Sequence, residues 1–180
     1  CMLTILGIDP GTANTGYAII QGDTHTGKAS LGSFGVWQTT KASGLTVRDR
    51  IDSLADQYAD LIRISGVQMV SVEDFTEQGR RVGKTYKDMA WLVENLRITG
   101  RTLGVPVYIY KNAEWKRIIM HAGQATKRQV QHFVSHNIAG AERLRGFPDH
   151  VWDAAAIGYC LFWQRHLEIK LLSSARAQKP

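Results

Sequence analysis

Residues 3–18 read LTILGIDPGTANTGYA, and this stretch sets the architecture of the chain. Leu3 to Ile8 is a short apolar run of strand length that stops at Asp9, where Pro10, Gly11 and Thr12 supply the residues of a turn. Gly16 to Gln21 and Leu31 to Gln38 continue as second and third strands around the polar segment 22–28, the pattern of an antiparallel meander. From Leu45 the period changes: Ile51, Leu54, Ala55, Tyr58, Leu61 and Ile62 recur at steps of three and four, which predicts an amphipathic helix. Val67 to Glu73 reads as a fourth strand. Met89, Leu92, Val93, Leu96 and Leu103 mark a long helix, and Val105 to Tyr110 a fifth strand. Asn112 and Thr126 are placed to cap two further helices. A last helix starts near Pro148 and carries Val151, Ala154, Ala155, Gly158, Leu161 and Phe162. Three strands followed by alternating helix and strand predict an α/β domain with a mixed five-stranded sheet and helices on both faces. The domain is expected to span 1–168, with 169–180 a basic, frayed tail.

The bulk numbers fit that picture. A chain of 180 residues, 44% hydrophobic and 21% charged, has the composition of one globular domain rather than of a disordered segment. Lys and Arg number 22 against 16 Asp and Glu, a formal charge of +6 that suits a polyanionic partner. The apolar run 2–8 is too short for a secretory signal, and no stretch of membrane-spanning length occurs, so no membrane association is expected. Cys1 and Cys160 form no disulfide framework, and Cys160, inside an apolar helical run, reads as a buried thiol. The expected compartment is cytoplasmic and nucleoid-associated, or the organellar or phage-encoded equivalent.

Acids and a histidine stand at the ends of these elements. Asp9 ends the first strand and Glu73 the fourth, while alternation sends Asp74 to the opposite face. His150 and Asp153 lie three apart on the last helix, heading the stripe that continues through Ile157 and Leu161. A carboxylate at the head of a buried stripe is costly unless it is paired or binds a metal. Hard oxygen donors suit Mg2+ or Mn2+, and imidazole tolerates Mn2+. Two such ions ~3.5–4 Å apart can activate a water and stabilise the leaving oxygen of a phosphodiester. Asp149, four residues before Asp153, competes with His150 as the partner, and the sequence leaves the two open.

The motifs also carry a resemblance. Residues 5–18 resemble the opening of the RuvC family of bacterial Holliday junction resolvases. Val70 to Glu73 resembles its second acidic motif, 126–134 its basic helix, and 150–158 its final acidic motif. The four matches occur in order along nearly the whole chain. The resemblance implies a ribonuclease H-like fold, a homodimer, and paired symmetrical nicks across a four-way DNA junction, with two Mg2+ ions per site that Mn2+ can replace. It implies that Asp9 bridges the ions, that Glu73 holds the one on the leaving-group side, and that His150 and Asp153 hold the other. Lys127 would stabilise charge at the scissile phosphate, with Lys116 a lesser candidate. Two positions depart from the family: most members carry Asp where His150 stands, and Phe75 lies one place early for the family's wedging aromatic.

The segment 77–87 follows the second acid with four basic residues, two glycines and Tyr86. Beside an acidic site, Arg80, Arg81, Lys84 and Lys87 are expected to hold phosphates, and Tyr86 or Phe75 to stack on an unpaired base. Lys116, Arg117, Lys127 and Arg128 form a second basic zone. Competing readings are an RNA-processing nuclease of the YqgF type and a junction-binding protein without catalysis. Sugar kinases and actin-like ATPases share the Asp-x-Gly-Thr turn but need two such domains, which 180 residues do not supply; no nucleotide cofactor is expected.

Overall fold

The computed structural model describes residues 1–39, 44–74 and 84–177. Among them, strands β1 (Met2–Asp9), β2 (Asn14–Asp23), β3 (Lys28–Gln38), β4 (Met69–Asp74), β5 (Val107–Lys111) and β6 (Ile138–Ala139) form one sheet in the order β5-β4-β1-β2-β3-β6. The first three pair antiparallel, while β4 lies parallel to β1 and β5 parallel to β4. The expected five strands are present. The sixth is a two-residue addition in which Ile138 and Ala139 pair with Ala29 and Ser30. Too short to show alternation, it is set by where helix α4 ends rather than by its own residues.

Helices α1 (Val47–Ser65) and α2 (Lys84–Thr102) cover one face of the sheet, and α3 (Asn112–Met120), α4 (Lys127–Asn137) and α5 (Asp149–Ala177) the other. Strand alternation divides the core between the faces. Leu6, Ile8, Val70 and Val72 pack with Ile51, Leu54, Leu92 and Leu96 of α1 and α2. Ile5, Ala18, Ile20 and Tyr110 pack with Trp115, Val130, Val134, Ile157 and Leu161. Capping fixes the helix starts. Thr46 with Asp49, and Thr126 with Gln129, form reciprocal capping boxes at α1 and α4.

Helix α5 is buried almost all round from Val151 to Phe162, which accounts for a sequence there that is apolar on every side. It lies against β1 and β2 with backbones nearly touching. A Cβ on Gly7 would stand 2.0 Å from the Ala154 carbonyl oxygen and 2.6 Å from the Gly158 nitrogen. The Ser71 hydroxyl donates to the Ile157 carbonyl at 3.0 Å and ties β4 to the same helix. Of the frayed tail expected over 169–180, residues 169–177 instead continue α5 to Ala177, and 178–180 lie outside the described residues. Adding a residue to an existing helix avoids the nucleation cost, and the run Leu167 to Leu172 consists largely of good helix formers. An Arg165–Glu168 ion pair at 2.6 Å supports the turn where the extension begins.

Candidate active site

Alternation and register together create the acidic centre. Ser71 faces α5, so Glu73 does too; on β1, Ile5 and Gly7 face α5, so Asp9 follows. Ile8 pairs with Val72, which brings Asp9 and Glu73 level at the ends of adjacent parallel strands. The start of α5 meets them there. Asp9 pairs across to Gly16, and a Cβ on Gly16 would stand 2.2 Å from the His150 carbonyl oxygen, so only glycine admits the helix at this depth. His150 and Asp153 are thereby brought over the ends of β1 and β4. The His150 Nδ1 lies 2.8 Å from Asp9 Oδ2, with Asp9 14% and His150 48% exposed.

Burial and mutual repulsion dominate the electrostatics. Burial pushes the Glu73 carboxyl up to about 7, and the Asp9 charge adds to this. Hydrogen bonds from Trp115 and Asn112 only partly oppose the rise. Burial and then Asp9 raise Asp153 to about 6, while Lys116 and Lys127 pull the other way. The His150 imidazole is raised, first by its hydrogen bond to Asp9. Among the described residues neither Glu73 nor Asp153 has a lysine or arginine ion-pair partner. Carboxylates crowded into one half-buried place without a cation are the donor set a hard divalent ion would satisfy. Among the described residues no three acids, histidines or cysteines stand as a ready-closed metal cluster. The His150 ring meets Asp9 Oδ2 through Nδ1, which leaves Asp9 Oδ1 outside that contact.

Two residues that hold Glu73 were missed in the sequence. Trp115 is fully buried and donates its indole N–H to Glu73 Oε2 at 2.8 Å. Asn112, read as a helix cap, donates its side-chain amide to both Glu73 oxygens at 3.1 and 3.2 Å. The cap is made by Glu114, whose carboxylate accepts from the Lys111 amide. A buried indole must find an acceptor, and a nearby strand-end carboxylate was the signal available for Trp115.

Between Asp149 and His150 the placements differ clearly. Asp149 accepts from Lys127 Nζ at 2.6 Å and from Gln131 at 3.1 Å, while His150 touches Asp9. Lys127 therefore stands beside the centre, its ammonium held by Asp149 and 73% exposed. Lys116 lies over the Trp115 ring at 5.4 Å, near enough to lower Asp153. Arg128 projects elsewhere, into a groove between α3 and α4. Tyr86, half-buried, and Lys87, exposed, belong to the first turn of α2, which Lys84 begins. The expectations for Phe75, Arg80 and Arg81, and for the side chain of Lys84, lie outside the described residues.

This geometry coincides with the reach of one family. The family described as crossover junction endodeoxyribonuclease RuvC matches residues 5–161, which contain all four site residues. The chain belongs to the RuvC family. It is 30% identical over 173 residues to the crossover junction endodeoxyribonuclease RuvC of Syntrophomonas wolfei, covering 96% of each chain. The RuvC of Pelotomaculum thermopropionicum is 28% identical over 174 residues, covering 93% of this chain and all of that one. Among solved structures, Thermus thermophilus RuvC in complex with Holliday junction substrate superposes with a TM-score of 0.75 at 23% identity, covering 91% of this chain and 95% of that one. The yeast mitochondrial Holliday junction resolvase Ydc2 has the same fold, with a TM-score of 0.63 at 15% identity over 92% of this chain and 80% of that one. The mixed α/β fold is shared with these structures. Among the described residues no helix is long and apolar enough to cross a membrane.

Proposed function

We propose that this chain is a structure-selective endonuclease that resolves four-way DNA junctions by paired symmetrical nicks. The observation that carries the reading is the convergence of Asp9, Glu73, His150 and Asp153 at one sheet end, inside the segment that matches the RuvC family. Asp9, shared between the two sides of the centre, would hold both of two Mg2+ ions. Glu73 would hold the ion on the leaving-group side, and Asp153 with His150 the other; Mn2+ can replace Mg2+. When bound, the ions supply a nucleophilic water at neutral pH and charge stabilisation at the leaving oxygen.

The remaining chemistry belongs to the chain's own residues. Trp115 and Asn112 fix the Glu73 carboxylate in one orientation, so its oxygens are preset. With Nδ1 held by Asp9, His150 would offer Nε2 as its donor, and it must be neutral to do so. Lys127 exchanges Asp149 for the scissile phosphate, bringing a positive charge where negative charge develops. Lys116 adds a second charge at the same edge, and Tyr86 and Lys87 extend the DNA contact along the start of α2; Phe75, Arg80, Arg81 and Lys84 are proposed as further DNA-binding residues. Arg128 serves the backbone farther from the centre.

Two nicks require two centres, and we assign the second to a second copy of the chain. On α2, Trp91 and Ile98 are each 52% exposed and seven residues apart, so they share one outward face that pairing would cover. Sedimentation should show a dimer that Trp91→Glu dissociates.

The test of the activity is incubation with a synthetic four-way junction, its linear duplex arms and a structured RNA, each with Mg2+ or Mn2+. The junction alone should be cut, with symmetrically placed nicks in two strands. Cutting of the RNA with an intact junction would instead make the chain an RNA-processing nuclease, and binding without cutting a junction-binding protein.

A further inference from the structure

The acidic centre leaves the far side of α4 unexplained. There a groove of about 700 Å3 lies between the end of α3 and α4, lined in part by His121, Ala125, Arg128, His132, Phe133 and His136. Half of the six histidines of the chain face this one groove.

His132 and His136 are exposed and one helical turn apart on α4, their ring centroids 4.0 Å from each other and the rings tilted by 42°. Imidazoles at this spacing share a helix face, the arrangement by which two histidines of one helix hold a zinc ion in metalloproteases. The tautomer of one ring is also set. His136 Nδ1 lies 2.8 Å from the His132 carbonyl oxygen, which can only accept, so Nδ1 carries the hydrogen and donates it. The lone pair of the neutral ring is then on Nε2, pointing away from the helix backbone. A ligating histidine whose other nitrogen donates to a backbone carbonyl has the preset orientation and raised basicity of metal sites.

We propose that His132 and His136 form a peripheral site for a borderline transition-metal cation, Zn2+ or Ni2+, separate from the acidic centre. Two imidazoles favour such ions strongly over Mg2+, whose preference is for oxygen donors. Among the described residues no third acid, histidine or cysteine closes the set, so water and the open groove complete the coordination. The segment between the ligands is Phe133-Val134-Ser135, with no carboxylate to act as a base, so the site is a clamp and not a second catalytic centre. An ion held there ties the last two turns of α4 together, on the helix whose first residue is Lys127.

The test is titration of the full chain with Ni2+ in saturating Mg2+, read as binding stoichiometry and affinity. It is done with Cys1→Ser throughout, because the exposed amino-terminal thiol is itself a ligand. One equivalent should bind, and the same equivalent should bind to Asp9→Asn, which disables the acidic centre. His132→Gln and His136→Gln should each weaken it by at least the about 10–100-fold that loss of an outer-shell partner costs. Circular dichroism and Mg2+-dependent junction cutting should be unchanged in both variants. Unaltered Ni2+ binding in the double variant overturns the site, as does loss of the equivalent in Asp9→Asn.

Discussion

The Glu73 carboxylate makes the metal-free protein less stable than it need be, and the effect is measurable. Its ordinary value is 4.5 and burial with Asp9 pushes it up to about 7. At 1.36 kcal/mol for each tenfold change in proton affinity, that gap corresponds to about 3 kcal/mol held against the folded state once the group ionises. The sign follows from proton counts. Between pH 4.5 and 7 the unfolded chain has released this proton and the folded chain has kept it, so stability falls as pH rises through that window. Glu73→Gln removes the charge and keeps one oxygen to accept from Trp115 and Asn112. In EDTA at pH 8 the variant should therefore be more stable than the parent by about 1–3 kcal/mol, the lower figure allowing for relaxation and for the amide hydrogens. For a chain of this size that is a rise in Tm of about 2–12 °C. At pH 4.5 the two should melt together. The assay is thermal denaturation at both pH values, paired with junction cutting, which the variant should lack. A variant that melts lower than the parent at pH 8, or differs equally at both pH values, would refute the electrostatic reasoning.

Other perturbations probe the same centre from different sides. Because Glu73 and Asp153 must ionise at about 7 and about 6, and the raised His150 must lose its proton, Mg2+ affinity should climb between pH 5.5 and 8, with protons released on binding. Calorimetry in two buffers of different ionisation enthalpy reads this, and pH-independent affinity would contradict it. His150→Asp should keep junction cutting and shift the preference from Mn2+ toward Mg2+; a dead variant would point to Asp149 as the ligand. Gly16→Ala sets a methyl 2.2 Å from the His150 carbonyl oxygen, so the start of α5 must retreat. A loss of about 1–3 kcal/mol in urea unfolding, with reduced cutting, is the expected outcome. Full stability would show that α5 is not held at that depth.

Much of this centre was legible in the sequence because strand ends and alternation are one-dimensional signals. Asp9 and Glu73 each follow an apolar run, and His150 with Asp153 heads a helical stripe, so their faces follow from period alone. Their convergence was not legible, since it depends on the parallel register of β1 with β4 and on how deeply α5 sits against Gly7 and Gly16. The support of Glu73 was hidden for another reason. Asn112 sits at a helix start and Trp115 has the size of a core residue, so each had a sufficient local explanation that its tertiary contact replaced. The competition between Asp149 and His150 likewise turned on α4, a separate element whose Lys127 and Gln131 take Asp149. Strand β6 and the extension of α5 past 168 show the limits of composition: two residues carry no period, and a basic segment stays helical when a long helix leads into it.

The central claim is that the acidic centre cuts branched DNA, and Asp9→Asn tests it most directly. On one labelled four-way junction, binding is measured in Ca2+ by gel shift and cutting in Mg2+ by strand-resolved electrophoresis. The parent should bind and introduce paired nicks; Asp9→Asn should bind the junction as tightly and leave all four strands intact. Nicks at the parental positions by the Asp9→Asn protein would contradict the account.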